Sequence, residues 1–297
     1  MSIEKLTGLI AAPHTPFKAN GDLDCSVIPQ QVELLIKQGV KGAYISGTTG
    51  EGISCSVEER LQVMDAWKAA AGDRLKLIVH TGALSLRDVE TLARHANELK
   101  VFATSTVPAN YFKPANVAKL TEFCAAAASY APDCKFYYYH TSMSGINLSM
   151  VDFIHLADKE IPNFAGIKFN HHDLYEYQNC LNALDGKYDI VHGVDEFFAG
   201  ALALGAKGFI GSTFNYSAEL YLKIWDAFER NDKAEVLNGM KKVCAIVDLL
   251  VKYGGVACGK ALMGLHGLDL GIVRMPLSNL TAEQKASIVA AAGKLLK

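Results

Sequence analysis

The chain has 297 residues, 50% of them hydrophobic and 20% charged, with 29 basic and 31 acidic side chains and a formal net charge of −2. That balance belongs to a globular chain long enough to bury a substantial core, and it excludes the disordered and fibrous classes. It also excludes the basic footprint of a nucleic-acid binder, so an anionic ligand must be met by local donors and not by a global field.

The opening MSIEKLTGLIAAPHTPF carries charges early, then a short apolar run broken by Pro13, which is not a signal-peptide pattern. No apolar stretch reaches membrane-spanning length, so a cytoplasmic protein without membrane partners is expected. The seven cysteines are scattered without a CxxC pair and are expected to be reduced, buried small hydrophobes. His171 and His172 are adjacent but lack metal-ligand spacing around them; a polar loop pair is expected, with no metal.

Short β-rich runs alternate with longer segments of helical periodicity. In chain order the strand candidates are GLIAAPHTPF from Gly8, GAYISG from Gly42, KLIVHTG from Lys76 and VFATSTVP from Val101. KFYYYHT from Lys135, NFAGIKF from Asn163, YDIVHGV from Tyr188 and GFIGSTF from Gly208 complete the set. Most are continuous apolar runs, as parallel strands buried on both faces should be. VMDAWKAAA after Val63, LARHANELK after Leu92 and KLTEFCAAAASY after Lys119 show the helical spacing most clearly. Ser56 followed by Glu59 predicts a capping box.

Eight strand–helix units in about the first 230 residues predict an α/β fold, a (β/α)8 TIM barrel, which typically takes roughly 250 residues. A doubly wound open sheet is the rival, weakened by the absence of a Gly-x-Gly-x-x-Gly turn after the first strand. Helical patterns continue in KAEVLNGMKKVCAIVDLLVKYG, GKALMGLHG and TAEQKASIVAAAGKLL. They are expected to be additional C-terminal helices packed on the barrel: one domain over 1–297, with the barrel at 1–230 and a helical extension at 231–297.

Barrels place catalytic groups where strands end and βα loops begin. Near the end of the sixth strand, alternation puts Gly166 and Lys168 on one face and Ile167 and Phe169 on the other. Two readings of Lys168 stand in balance: an interior amine, desolvated and nucleophilic, or a strand-end lysine that snorkels to solvent. In the run Tyr137, Tyr138, Tyr139, Tyr137 and Tyr139 share a face, and Tyr139, nearest the strand end, is the candidate for proton transfer, while strand packing suits the other two; His140 could be a base too, but alternation points it the opposite way. The GTTGE turn at 47–51 offers the hydroxyls of Thr48 and Thr49 and approachable backbone N–H groups, either for an anion or as an ordinary capped turn. GVDE at 193–196 brings Asp195 and Glu196, acceptors for hydroxyls or simply a helix start. GST at 211–213 ends the eighth strand, where barrels often bind anions.

GTTGE after strand two, a tyrosine ending strand five and GIKF on strand six, in this order and spacing, resemble the family of N-acetylneuraminate lyases and dihydrodipicolinate synthases. The likeness runs from AAPHTPF to RMPL at Arg274. FYYYH, GVDE and GSTFNY are similar to the lyase branch, and the loop HTSMSG after Tyr139 lacks the arginine typical of the synthases. The resemblance implies a Schiff-base aldolase that reversibly cleaves N-acetylneuraminate to pyruvate and N-acetylmannosamine, without a cofactor. It implies Lys168 as the Schiff-base lysine, Tyr139 as the proton-transfer tyrosine, and Thr48 and Thr49 as the pair holding the pyruvate carboxylate. Gly193, Asp195, Glu196 and Ser212 are implied to bind the sugar chain. Tyr111 is the position implied to approach from a neighbouring subunit of a homotetramer. Two departures stand out: HTSMSG lacks a proline usual after the tyrosine and is one residue shorter, and Asn170 replaces a Thr or Ser beside the substrate. A sibling aldolase or dehydratase for another 2-keto sugar acid, or a non-catalytic sugar-acid-binding barrel, are the alternatives.

Overall fold

In the computed structural model of the chain, which describes residues 3–108 and 111–296, all eight expected strands form and pair in parallel as a closed barrel. They are β1 (Gly8–Ala11), β2 (Gly42–Ile45), β3 (Lys76–His80), β4 (Ala103–Thr106), β5 (Lys135–Thr141), β6 (Phe164–Asn170), β7 (Asp189–His192) and β8 (Gly208–Gly211). Helices α1 (Ile28–Lys37), α2 (Val57–Ala71), α3 (Leu86–Glu98), α4 (Val117–Ser129), α5 (Met150–Glu160), α6 (Leu174–Asn182), α7 (Phe198–Ala203) and α8 (Phe214–Glu229) alternate with them. The chain continues through α9 (Lys233–Tyr253), α10 (Gly255–Leu262) and α11 (Ala282–Leu295), which pack on one another, with α9 lying against α8. The fold is the expected TIM barrel with additional C-terminal helices.

Local chemistry sets these boundaries. The Ser56 hydroxyl accepts from the Glu59 amide while the Glu59 carboxylate accepts from the Ser56 amide, the predicted capping box of α2. Thr281 and Gln284 build a second box at α11. Between sheet and helices lies the main core, which includes Tyr138, Phe153, Ile167 and Phe169. A smaller cluster of Ile10, Tyr44, Ile78, Tyr137, Tyr139, Val191 and Ile210 fills the barrel itself. At its floor Asp189 accepts hydrogen bonds from the Leu6 amide (2.7 Å) and the Tyr137 hydroxyl (2.9 Å).

One irregularity aims the site. Phe136 pairs with Phe164, but Tyr137 pairs with Gly166, so Ala165 is an extra residue in β6. Phe164 packs outward in the main core and Ala165 inward, and the bulge then resets the alternation so that Ile167 packs outward. Lys168, paired with Tyr139, turns inward. A Cβ on Gly166 would lie 1.8 Å from the Asp189 carbonyl oxygen. Gly166→Ala is therefore expected to destabilise the fold by about 3 kcal/mol or to move the bulge; urea unfolding gives the loss, and an unchanged midpoint would show that the strands part without penalty.

Four cysteines are buried as expected, but Cys25 and Cys55 are half-buried and Cys244 is exposed on α9. The uniform expectation of burial is corrected there, because α9 is covered on one side only. Among the described residues no helix is long and apolar enough to cross a membrane.

Candidate active site

Lys168 is 5% exposed and points into the mouth of the barrel. Its Nζ lies 3.8 Å from the centroid of the Tyr44 ring and 4.1 Å from that of Tyr139. Among the described residues it makes no ion pair. Burial lowers its pKa from 10.5 to about 7, with the Asp195 carboxylate pulling weakly the other way. The snorkelling alternative does not hold: the amine is enclosed by aromatic faces, and the neutral form is accessible near neutrality.

Tyr139 sits beside Lys168 in the β5–β6 ladder. Its hydroxyl is 3.4 Å from Thr48 Oγ1, at the outer limit of a hydrogen bond. Burial raises its pKa, while contacts with the hydroxyls of Thr48 and Thr141 oppose that rise. The resting tyrosine is therefore protonated. The Tyr139 ring meets Tyr44 and His80 edge-on at 5.8 and 5.9 Å, which fixes its orientation. His140, next along the strand, faces the helices and packs on Phe169 at 5.0 Å, as alternation requires.

The GTTGE turn is tightly wound. Ser46 and Glu51 adopt left-handed φ values of 57° and 51°, and a Cβ on Gly52 would fall 1.9 Å from the Ser46 carbonyl oxygen. The Glu51 amide donates to the Thr48 carbonyl (3.0 Å) and the Gly52 amide to the Gly47 carbonyl (3.1 Å). Among the described residues the Thr48 and Thr49 amides donate to no backbone carbonyl. Thr48 is exposed and Thr49 half-buried, and the Thr48 hydroxyl reaches toward the Tyr139 hydroxyl beside Lys168.

Asp195, in the short 3-10 turn Asp195–Phe197 after β7, crosses to β8. One carboxylate oxygen accepts from the Thr213 amide (3.0 Å) and hydroxyl (2.8 Å), with the Ser212 hydroxyl at 3.5 Å. Burial raises its pKa to about 6 despite these bonds and Lys168. Half of Asp195 thus ties two loop ends together, and Glu196, half-buried, stands 3.7 Å from His172. Asn170 Nδ2 donates to Thr141 Oγ1 (3.3 Å), directly above the Tyr139–Lys168 rung, and Gly193 packs against Asn170.

The barrel mouth therefore gathers Lys168, Tyr139, Thr48, Thr49, Asn170, Gly193, Asp195, Glu196 and Ser212. Tyr111 is not among them: it is 82% exposed, edge-on to the equally exposed Phe112. Its neighbours 109 and 110 lie outside the described residues. Sequence reading missed Tyr44, whose hydroxyl donates to Ser105 Oγ (3.1 Å) and whose ring roofs the amine. Its inward phase in GAYISG was the available signal. Thr141, the last residue of β5, was missed as well, although it closed the KFYYYHT strand candidate.

Fold and site together define a TIM barrel whose mouth holds one desolvated amine flanked by tyrosines and hydroxyl donors. Residues 5–295 match the dihydrodipicolinate synthetase family, and the chain belongs to it. It is 36% identical over 290 residues to N-acetylneuraminate lyase of Rattus norvegicus, covering 96% of this chain and 91% of the rat protein. Among solved structures, Proteus mirabilis N-acetylneuraminate lyase superposes with a TM-score of 0.97 at 52% identity, over 98% of this chain and 99% of that one. N-acetylneuraminate lyase (sialic acid aldolase) from Aliivibrio salmonicida does so with a TM-score of 0.97 at 50% identity, over 99% and 98%.

Proposed function

We propose that the protein is an N-acetylneuraminate lyase that reversibly cleaves the open-chain sugar acid to pyruvate and N-acetylmannosamine. The observation that carries this reading is the buried Lys168 amine between Tyr44 and Tyr139, with a pKa lowered to about 7. Neutral Lys168 attacks the C2 ketone, and loss of water leaves a protonated imine. The imine accepts the electron pair of the C3–C4 bond as the C4 hydroxyl gives up its proton. N-acetylmannosamine departs as the aldehyde and an enamine remains; protonation at C3 and hydrolysis then release pyruvate. The imine supplies the electron sink, so the scheme needs no metal or organic cofactor.

Tyr139 carries the proton. Because burial keeps it protonated, it acts as a relay that donates and accepts in turn and not as a standing phenolate. Thr48 and Thr49 hold the substrate carboxylate through hydroxyl and amide donors. Asn170, Gly193, Asp195, Glu196 and Ser212 face the polyhydroxylated chain. We place the enzyme in the cytoplasm as a homotetramer in which Tyr111, exposed in the single chain, reaches a neighbouring mouth. We take the barrel (1–230) and the extension (231–297) as one folding unit, supported by the Lys260–Glu51 and Arg274–Glu59 ion pairs that join them.

Pyruvate release from N-acetylneuraminate, measured against a panel of other 2-keto sugar acids, tests the substrate. Preferential turnover of another acid would assign the chain to a sibling aldolase, and binding without turnover to a non-catalytic barrel. A pH series tests the amine. Borohydride trapping of pyruvate on Lys168 should climb as pH rises through about 7, because the ammonium form cannot attack, and then level off. A rate still climbing steeply above pH 9 would mean an amine near its ordinary value.

A further inference from the structure

Glu51 of the GTTGE turn points away from the barrel mouth and is 2% exposed. One carboxylate oxygen lies 2.8 Å from Lys260 Nζ on α10, itself 5% exposed. The other accepts the amide of Arg274 at 2.9 Å. Arg274 in turn donates to Glu59 at the start of α2 (2.6 Å), to the Ser54 carbonyl (3.1 Å) and to the Gly21 carbonyl (2.7 Å). Lys260 also donates to the Ile272 carbonyl, and both cations lie over the Phe17 ring, at 4.4 and 4.1 Å. From the β1 side Thr15 Oγ1 donates to the Gly50 carbonyl at 2.6 Å. The turn is thus gripped on its outer side by the C-terminal extension, and the grip ends on the residue whose left-handed backbone shapes it.

A buried ion pair is weak evidence for stability, because desolvation offsets most of the attraction. Its better-attested use is to specify one arrangement, and this one joins a segment more than two hundred residues downstream to the turn carrying Thr48 and Thr49. A turn with two non-glycine residues in the left-handed region is held in that shape only by its surroundings.

We propose that Glu51 and Lys260 are positioning residues: their buried pair, completed by the Arg274 amide, fixes the 46–52 turn in the shape that receives the keto-acid carboxylate. The C-terminal extension thereby sets affinity for the pyruvate end of the substrate without touching it. This rests on the aldolase reading above. It assigns roles to Glu51, Lys260 and Arg274 that the chemistry on Lys168 does not need.

The test measures borohydride trapping of pyruvate on the full chain across pyruvate concentrations, together with hydrogen–deuterium exchange over 46–54. Glu51→Gln keeps an acceptor for the Arg274 amide but removes the charge, and Lys260→Met removes its partner. Each should raise the half-saturating pyruvate concentration about tenfold, equivalent to about 1.4 kcal/mol of binding. The limiting trapping rate should stay within about threefold of wild type, since Lys168 is untouched. Exchange over 46–54 should quicken while the β6 peptide is unchanged. If either single variant fails to fold, Glu51→Gln with Lys260→Met leaves no unpaired buried charge and serves in its place. Folded variants with unchanged half-saturation, or with unchanged exchange over 46–54, overturn the proposal. A wild-type protein that traps no pyruvate overturns the aldolase reading instead, and the exchange data alone then decide the brace: quicker exchange supports it and unchanged exchange overturns it.

Discussion

Lys168→Met is expected to lower N-acetylneuraminate cleavage by on the order of 10⁴-fold or more while making the protein more stable. Both halves follow from one cause. The amine is enclosed by Tyr44 and Tyr139, and its pKa falls from 10.5 to about 7. Below pH 7 the folded protein must hold an ammonium in a poor environment, at a cost on the order of 5 kcal/mol relative to the exposed side chain. The unfolded chain binds that proton more readily, so between pH 7 and 10.5 wild-type stability rises with pH relative to the methionine variant. The variant's advantage should be full below pH 7 and fade toward pH 10. Urea unfolding at pH 6 and pH 9 measures it, and pyruvate release measures activity. Substantial residual turnover would point to another nucleophile; equal stabilities at pH 6 would mean that solvent or a hidden partner relieves the buried charge.

Tyr139→Phe is expected to lower kcat by about 10²- to 10³-fold, within the span of a positioned proton donor and acceptor. The ring remains, so its packing on Tyr44 and His80 and its cover over Lys168 are kept. Pyruvate trapping at saturation should drop far less than cleavage, because imine formation asks less of the relay than breaking C3–C4 with loss of the C4 proton. Thr48→Val, at the other end of the 3.4 Å contact, should show a non-additive effect with Tyr139→Phe in a double-mutant cycle. An unchanged kcat in Tyr139→Phe would remove the hydroxyl from the reaction, and strict additivity would separate the two groups.

These expectations depend on an inward-facing Lys168, which alternation around AGIKFN could state only as one of two phases. Counting from Phe164, which packs outward, would turn Lys168 outward too; the extra residue Ala165 restores the inward phase. Such a bulge leaves little mark in one chain, because it depends on the Phe136–Phe164 and Tyr137–Gly166 pairings across β5. Tyr44 was hidden differently. An inward aromatic on a barrel strand is ordinary core, and only the approach of Lys168 to within 3.8 Å of its ring gives it a place at the site. Cys244 departs from the composition-based expectation of burial, because it lies on an exposed side of α9.

What the sequence determined by itself is what local physics and pattern carry. Eight buried parallel strands, the helices between and after them and the Ser56–Glu59 box are read from periodicity and cap chemistry, whose causes lie within a few residues of each other. The strand-end candidates could be named because a barrel sends every strand end to one mouth, whereas Asn170 and the individual roles followed from the family resemblance. The tertiary structure alone decided the energetics of that mouth. Desolvation of Lys168 requires rings from β2 and β5. The shape of the Thr48–Thr49 turn is held from α10 and Arg274, far along the chain. Burial, register and long-range ion pairing depend on which distant segments meet, and no stretch of sequence contains that information by itself.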